Sequence, residues 1–392
     1  MFTNRTLNII RISMGIYSSL GSNPYYWDSK QNCMSVCSTL RRNISFMFAV
    51  LITVIQLCFL FWRLIQHSQE LEANRSFEVI VWLWIWIILT SWALVSFHNG
   101  WTKKSEVVGM FKGVRLFARC FENEYPKARM KTLLRNFNSI DIHFLVVIWI
   151  IFTYVTAVSL MFFVAPGNSQ YFYSLVEAKS QTGWTGIVFI LFLALEVYAK
   201  SSQVFMMATE VFSIIPALLP AAFWMDYIRR SSHYTIRISQ KVAIFQKIQI
   251  LTSYYNHAST PLLTRILSVL VPSALCITCC FAAIRFHIFL PFFQYIPFPT
   301  IFNNEFSIIA VTLIPATAIY ESSNKLCLHI RKKVDAKMGK MWRKRLTALH
   351  PLGVQIGPIC KVRKIAILLC YNFIANYIFT LLITFPHEKV VR

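Results

Sequence analysis

Seven stretches of this chain are apolar over close to the length that carries a helix through a bilayer, about 20 residues for a core roughly 30 Å thick, and the segments between them alternate between basic and nearly uncharged. Read with a window of about 19 residues, the stretches fall near Ile44 to Phe61, Glu78 to Phe97, Phe144 to Ala165, Ser202 to Trp224, Ile266 to Ile288, Phe306 to Tyr320 and Ile365 to Phe385. The fourth belongs to a longer apolar unit, Gly186 to Met225, interrupted by Glu196, Lys200 and Glu210. It is expected to cross once, after an outer helical extension. Hydrophobic residues make up 56% of the chain and charged ones 14%, against about a quarter charged in ordinary globular domains. A soluble fold has no core large enough to bury that surface.

The 39 Lys and Arg against 16 Asp and Glu give a formal charge of +23, a balance that would suit a nucleic-acid partner if the basic residues were clustered on one surface. They sit instead in every second connecting segment. Segments 1–43, 98–143, 226–265 and 321–364 hold 32 of the 39, while 62–77, 166–185, 289–305 and 386–392 hold five. Basic residues in short flanking loops stay on the cytoplasmic side. The reading is therefore an all-α polytopic membrane protein with seven transmembrane helices, a cytoplasmic N-terminus, a helical cytoplasmic base and no nucleic-acid partner. Its parts are a cytoplasmic N-terminal segment 1–43, helices 1 to 6 with their loops over 44–320, a basic amphipathic anchor 321–364, a seventh helix 365–385 and an extracellular tail 386–392. No secretory leader is expected before the first span, and the sequon Asn74-Arg75-Ser76 falls in the first outer loop.

Three inner segments have helical apolar faces. Val107, Phe111, Val114, Ala118 and Phe121 form one, and Ile244, Ile248, Leu251 and Tyr255 another. In the third, Leu326, Ile330, Val334, Met338, Trp342 and Leu346 recur every four residues among basic neighbours. This predicts a helix over 325–349 that lies on anionic lipid or packs against other inner loops or a second subunit. Ile330, Val334, Met338 and Trp342 are its candidate assembly residues.

Polar groups inside spans are costly and point to packing or function. In the last span Asn372, Asn376, Thr380 and Thr384 recur every four residues, with Tyr377 and Ile383 beside them. The stripe is either hydrogen-bonding glue between helices or the lining of a water-filled pore narrowed by apolar neighbours such as Ile383. Glu196 and Lys200, four apart, are spaced to pair on one helix face. Glu210 is a candidate ligand contact, and Tyr154, Phe162, Phe163, Tyr198 and Phe205 are candidate walls of a small-molecule pocket. Arg285 is expected to snorkel to the interface, and Trp82, Trp84 and Trp86 to form an interfacial belt. Cys276 and Cys279 lie mid-span with no second ligand pair, so they read as a packed helix face, with no metal or other cofactor expected. Neither a GxSxG elbow nor an HExxH pair occurs, and no enzyme is expected.

Together, the seven spans, the long basic inner loops and the polar-striped last helix resemble the arthropod gustatory and odorant receptor superfamily. The C-terminal quarter carries the motif: Trp342-Arg343-Lys344-Arg345-Leu346, then His350-Pro351-Leu352-Gly353-Val354-Gln355-Ile356-Gly357, then the span ending at Asn376-Tyr377 and Thr384-Phe385. Gustatory receptors end this helix with Thr-Tyr, five apolar residues and Gln-Phe. Here Asn376 stands for Thr, Thr384 for Gln, and the spacing is one residue longer, in a divergent pattern similar to that of springtail receptors. The resemblance implies a chemosensory receptor of the plasma membrane of sensory neurons, opened by a small tastant or odorant. It further implies a non-selective cation channel of four identical or related subunits, each lining the pore with its seventh helix. A seven-helix G-protein-coupled receptor is the alternative, although it would place the N-terminus outside and no Asp-Arg-Tyr follows the third span. A transporter is a further one, but no internal repeat is visible.

Overall fold

The structure is a computed structural model that describes residues 4–70, 76–125, 139–177, 185–231, 236–258, 263–332, 339–356 and 360–386. In chain order these form α1 (Asn4–Ser19), β1 (Tyr25–Asp28), β2 (Cys33–Val36), α2 (Leu40–Ser68), α3 (Phe77–Thr102), α4 (Lys104–Glu124) and α5 (Ser139–Val164). There follow α6 (Ser174–Glu177), α7 (Thr185–Arg230), α8 (Ile238–Ala258), α9 (Leu263–Phe286), α10 (Phe292–Tyr295), α11 (Pro297–Lys332), α12 (Lys340–Thr347), β3 (Gln355–Ile356), β4 (Cys360–Lys361) and α13 (Ile365–Thr384). Among the described residues seven helices, α2, α3, α5, α7, α9, α11 and α13, are long and apolar enough to cross a membrane. The chain is a helical polytopic membrane protein.

The bundle is organised around α7, which touches α1, α2, α3, α4, α5, α8 and α11. A helix with so many neighbours is apolar over most of its circumference, and the polar residues it carries, Glu196, Lys200, Gln203 and Glu210, recur on one face that is turned into the bundle. Its 46 residues span about 69 Å at 1.5 Å per residue, more than twice the hydrocarbon core. The unit is thus one continuous helix, and a double crossing is excluded. Toward its C-terminal end, Leu218, Ala221, Trp224, Met225 and Ile228 are buried with the faces of α4 and α8.

Those two helices are the ones the sequence predicts. On α4, Val107, Phe111, Val114, Ala118 and Phe121 are buried, and on α8, Ile244, Ile248 and Tyr255. Phe117 and Phe121 approach Trp224 to 4.6 and 6.0 Å between ring centroids. At this end the β1–β2 hairpin, paired from Tyr25 with Val36 to Asp28 with Cys33, lies against α4. Burial pushes the Cys33 thiol up from its ordinary pKa, which keeps it protonated and unreactive.

Within the N-terminal segment, α1 buries Ile10, Met14 and Tyr17 in the main core and stacks Tyr17 on Phe205 at 4.9 Å. Its exit turn needs Gly21, at φ +68°, where an added Cβ would come 2.5 Å from Ser45 Cβ. Asn303, Asn304 and Glu305, expected in an outer loop, lie inside α11, which begins at Pro297. The amphipathic helix over 325–349 is divided, since its first part continues α11 to Lys332 and a separate α12 starts after Gly339. A repeat of four drifts about 40° per step on a helix of 3.6 residues per turn, too far for one straight face. Finally, Trp82 and Trp86 are buried, and only Trp84 is exposed.

Of the assembly residues, Ile330 is buried beside Leu326 and Cys327, Trp342 is exposed, and Val334 and Met338 lie outside the described residues, as does Asn74 of the sequon. The segment from α12 to α13 is tied down by backbone contacts. Ser323 Oγ donates to the Leu352 carbonyl (3.0 Å) and accepts from its N–H (2.9 Å). Asn256 Nδ2 donates to the Gly353 carbonyl (3.0 Å), and Arg331 Nη2 to that of Leu349 (2.6 Å). The strand pair β3–β4 then leads into α13.

Ser323 is fully buried, so Ser323→Ala leaves a donor and an acceptor of Leu352 unmet, a loss of about 1–3 kcal/mol. The expected outcome is a lower apparent Tm of the purified protein in detergent. An unchanged Tm would show that the segment is not held from α11.

Candidate functional site in the helix bundle

Four spans enclose a narrow cavity of about 30 Å³. Three present the same helical spacing, i, i+3, i+4 and i+7, which places four side chains on one face. These are Val147, Ile150, Ile151 and Tyr154 of α5, Val204, Met207, Ala208 and Val211 of α7, and Ile301, Asn304, Glu305 and Ile308 of α11. Leu89 and Trp92 of α3 complete the wall. The lining is apolar apart from four groups. Asn304 is occupied, exchanging hydrogen bonds with Thr153 at 3.0 and 3.2 Å. The Tyr154 hydroxyl, the Trp92 indole N–H and Glu305 Oε2 are buried with no hydrogen-bond partner among the described residues.

Of the six residues expected to bind ligand, only Tyr154 lines this cavity. Phe162 is buried further along α5 among Tyr171 (5.0 Å), Phe189 (5.5 Å) and Tyr173 (6.1 Å), while Phe163 is exposed. Tyr198 donates its hydroxyl to the Leu20 carbonyl (3.3 Å), and Phe205 is taken up by Tyr17. Glu210 faces α3, where it accepts from Ser96 Oγ (2.9 Å) and Asn99 Nδ2 (3.0 Å). Trp92, Met207 and Glu305 were legible only through the shared spacing, which appears once α11 is extended to Pro297.

The other span charges lie against neighbouring elements. Glu196 accepts from Gln56 Nε2 (3.3 Å) and from the Phe172 N–H (3.2 Å). The Lys200 ammonium lies 3.9 Å over the Trp86 ring, a cation–π contact, and stays within electrostatic reach of Glu196 one turn earlier. Arg285, at the end of α9, donates from its guanidinium to the Leu382 carbonyl near the end of α13.

That last helix stands apart. Ile374 is its one buried residue, whereas Asn372, Asn376, Tyr377, Thr380, Ile383 and Thr384 are all exposed, Ile383 at 80%. Asn372 and Asn376 each lie two residues from Ile374, about 200° around the helix. The polar stripe therefore faces away from its own bundle. Thr380 and Thr384 donate to the carbonyls of Asn376 and Thr380, both at 2.8 Å. Attachment is by one edge, through Tyr371 stacked on Phe306 of α11 at 4.5 Å, Cys370 beside Ser273 of α9 at 3.4 Å, and Arg285.

The seven-span architecture has solved structural counterparts. The insect olfactory receptor OR5 from Machilis hrabei superposes with a TM-score of 0.61 at 10% identity, over 96% of this chain and 99% of that one. The same receptor in complex with eugenol gives 0.63 at 11%, over 96% and 98%. The chain has the fold of an insect olfactory receptor, and the resemblance read from the C-terminal quarter holds for the architecture of the whole chain. No family model matches the sequence, and no curated protein matches it.

Glu210→Ala removes an acceptor shared by two α3 donors, and unmet buried donors cost about 1–3 kcal/mol each. A lowered apparent Tm is expected, with Ser96→Ala giving a smaller loss. An unshifted Tm in both variants would mean that α3 and α7 are not joined at this point.

Proposed function

We propose that this protein is a chemosensory receptor of the arthropod gustatory and odorant receptor superfamily, working as a ligand-gated, non-selective cation channel in the plasma membrane of sensory neurons. The observation that carries the reading is the polar stripe of α13, turned away from its own subunit. Hydrocarbon offers no partners to two Asn side chains, so the stripe has to meet water or another protein surface. Four identical or related subunits arranged around one axis supply both: a water-filled path lined by Asn372, Asn376, Thr380 and Thr384, narrowed where Ile383 projects.

The cavity is the ligand site in this account. It is apolar, enclosed by four spans and furnished with a few unpartnered polar atoms, as small-molecule sites usually are, and a receptor of the same fold is known in complex with eugenol. Met207 in its wall, an unbranched and adaptable side chain, gives room for a ligand to enter. The route to the pore is short. Glu305 and Ile308 of α11 face the cavity while Phe306, on the adjoining face, holds Tyr371 of α13, so a ligand that rotates or shifts α11 moves the pore helix directly.

The orientation follows from the basic segments, with 32 of 39 Lys and Arg on the N-terminal side. The receptor coupled to a G protein requires the opposite orientation and has no use for an uncovered polar helix. Tags at the two termini, stained with and without permeabilisation, are expected to reveal a hidden N-terminus and an accessible C-terminus; an exposed N-terminus contradicts the channel topology. Expressed with any partner subunit it needs, the protein is expected to pass cation current on ligand addition without G-protein signalling. Ile383→Ala is expected to raise resting leak, and Thr384→Val to lower conductance. A functioning channel in which neither variant changes leak or conductance would remove α13 from the pore.

A further inference from the structure

Glu305 is 4% exposed, faces the cavity, and leaves its Oε2 without a hydrogen-bond partner among the described residues. It is the one carboxyl group of the lining, which holds no Lys, Arg or His. Its titratable neighbours across the packing are the Tyr154 hydroxyl on α5 and the Cys276 and Cys279 thiols on α9, none of which brings a positive charge. The nearby buried cation of the bundle, Lys200, is engaged with Trp86 instead. A carboxyl group kept out of water without a donor is an unfavourable arrangement unless something arrives to meet it. The rings of Trp92 and Tyr154 line the same space, and aromatic rings attract cations. One acidic group, two aromatic rings and otherwise aliphatic walls form the setting for an ammonium head on an apolar body.

Building on the ligand-site reading above, we propose that the cavity selects small amines, with the protonated nitrogen held by Glu305 beside Trp92 and Tyr154 and the hydrocarbon part lying among Ile151, Met207 and Ile308. Neutral odorants of the same shape leave the carboxyl group unmet and bind more weakly. Selectivity of this kind comes from a buried polar group that one ligand satisfies and its isostere does not.

Three probes of matched shape test this: 2-phenylethylamine, 2-phenylethanol and propylbenzene, applied at neutral pH to the full-length protein. The readouts are half-maximal concentration for cation current and for tryptophan-fluorescence quenching of the purified protein. The amine is expected to act at a concentration lower by on the order of 10-fold or more than the other two. Glu305→Gln is expected to erase that advantage while leaving 2-phenylethanol in place, and Glu305→Asp, which keeps the charge, to retain most of it. Ala208→Phe, which fills the cavity, is expected to abolish all three responses. No preference for the amine in the wild type, no binding of it, or a preference that survives Glu305→Gln while Ala208→Phe removes every response, overturns the amine assignment alone. Responses that persist in Ala208→Phe overturn the cavity as the ligand site and the amine assignment with it.

Discussion

Hydrocarbon supplies no hydrogen-bond partner, so each polar side chain carried into the spans has to be met by another part of the protein, by water or by a ligand. The architecture can be followed through how each such group is met. Gln56, Gln203 and Glu196 join α2 to α7 and to the segment around Phe172. Ser96, Asn99 and Glu210 join α3 to α7. Thr153 and Asn304 join α5 to α11. These contacts tie the outer spans to the central helix α7 or to one another, and together with aromatic packing they set the bundle's geometry. Single buried atoms elsewhere in the spans, Thr90 Oγ1, Lys200 Nζ and Thr312 Oγ1 among them, also keep no hydrogen-bond partner among the described residues, but unmet groups gather at two places: facing the cavity and along the stripe on α13. Those are the two places to which function is assigned here.

Much of this was legible in the residues. The seven spans follow from apolar length, and the inner helices α4 and α8 from a period that matches 3.6 residues per turn. The polar stripe on the last helix is visible at once as Asn372, Asn376, Thr380 and Thr384. What escaped has a common physical reason. Asn303, Asn304 and Glu305 read as loop because hydropathy scores a residue by its own polarity, whereas Asn304 is neutralised by Thr153 on another helix. Trp82 and Trp86 read as interface residues because Trp favours that depth, yet Trp82 stacks on Phe298 at 4.2 Å and Trp86 carries Lys200. Phe205 and Tyr198 suit a pocket wall by residue type, but the N-terminal helix α1 and its exit turn, which no periodicity marks as part of the core, occupy them. Tertiary partners decide these positions, and a single sequence does not name partners.

The same distinction explains why the cavity and α13 belong to one account. α11 contributes a cavity wall on one face and the Phe306 contact to Tyr371 on the next, while α9 holds the far end of α13 through Arg285. The last helix is thus fixed at its root and along one edge by elements that also shape or adjoin the cavity. Its remaining surface, including the whole stripe, is uncovered by its own bundle, and in the proposed channel it meets other subunits and water. A helix attached in this way can shift against its own bundle without unpacking the core, which is what a gate requires.

Single-particle cryo-electron microscopy of the full-length protein in lipid nanodiscs tests the central claim most directly. Four subunits around one axis, with Asn376, Thr380 and Thr384 of each α13 facing a central water-filled path, is the result this account predicts. A particle in which α13 faces lipid at the perimeter, or in which another span lines the axis, would contradict it.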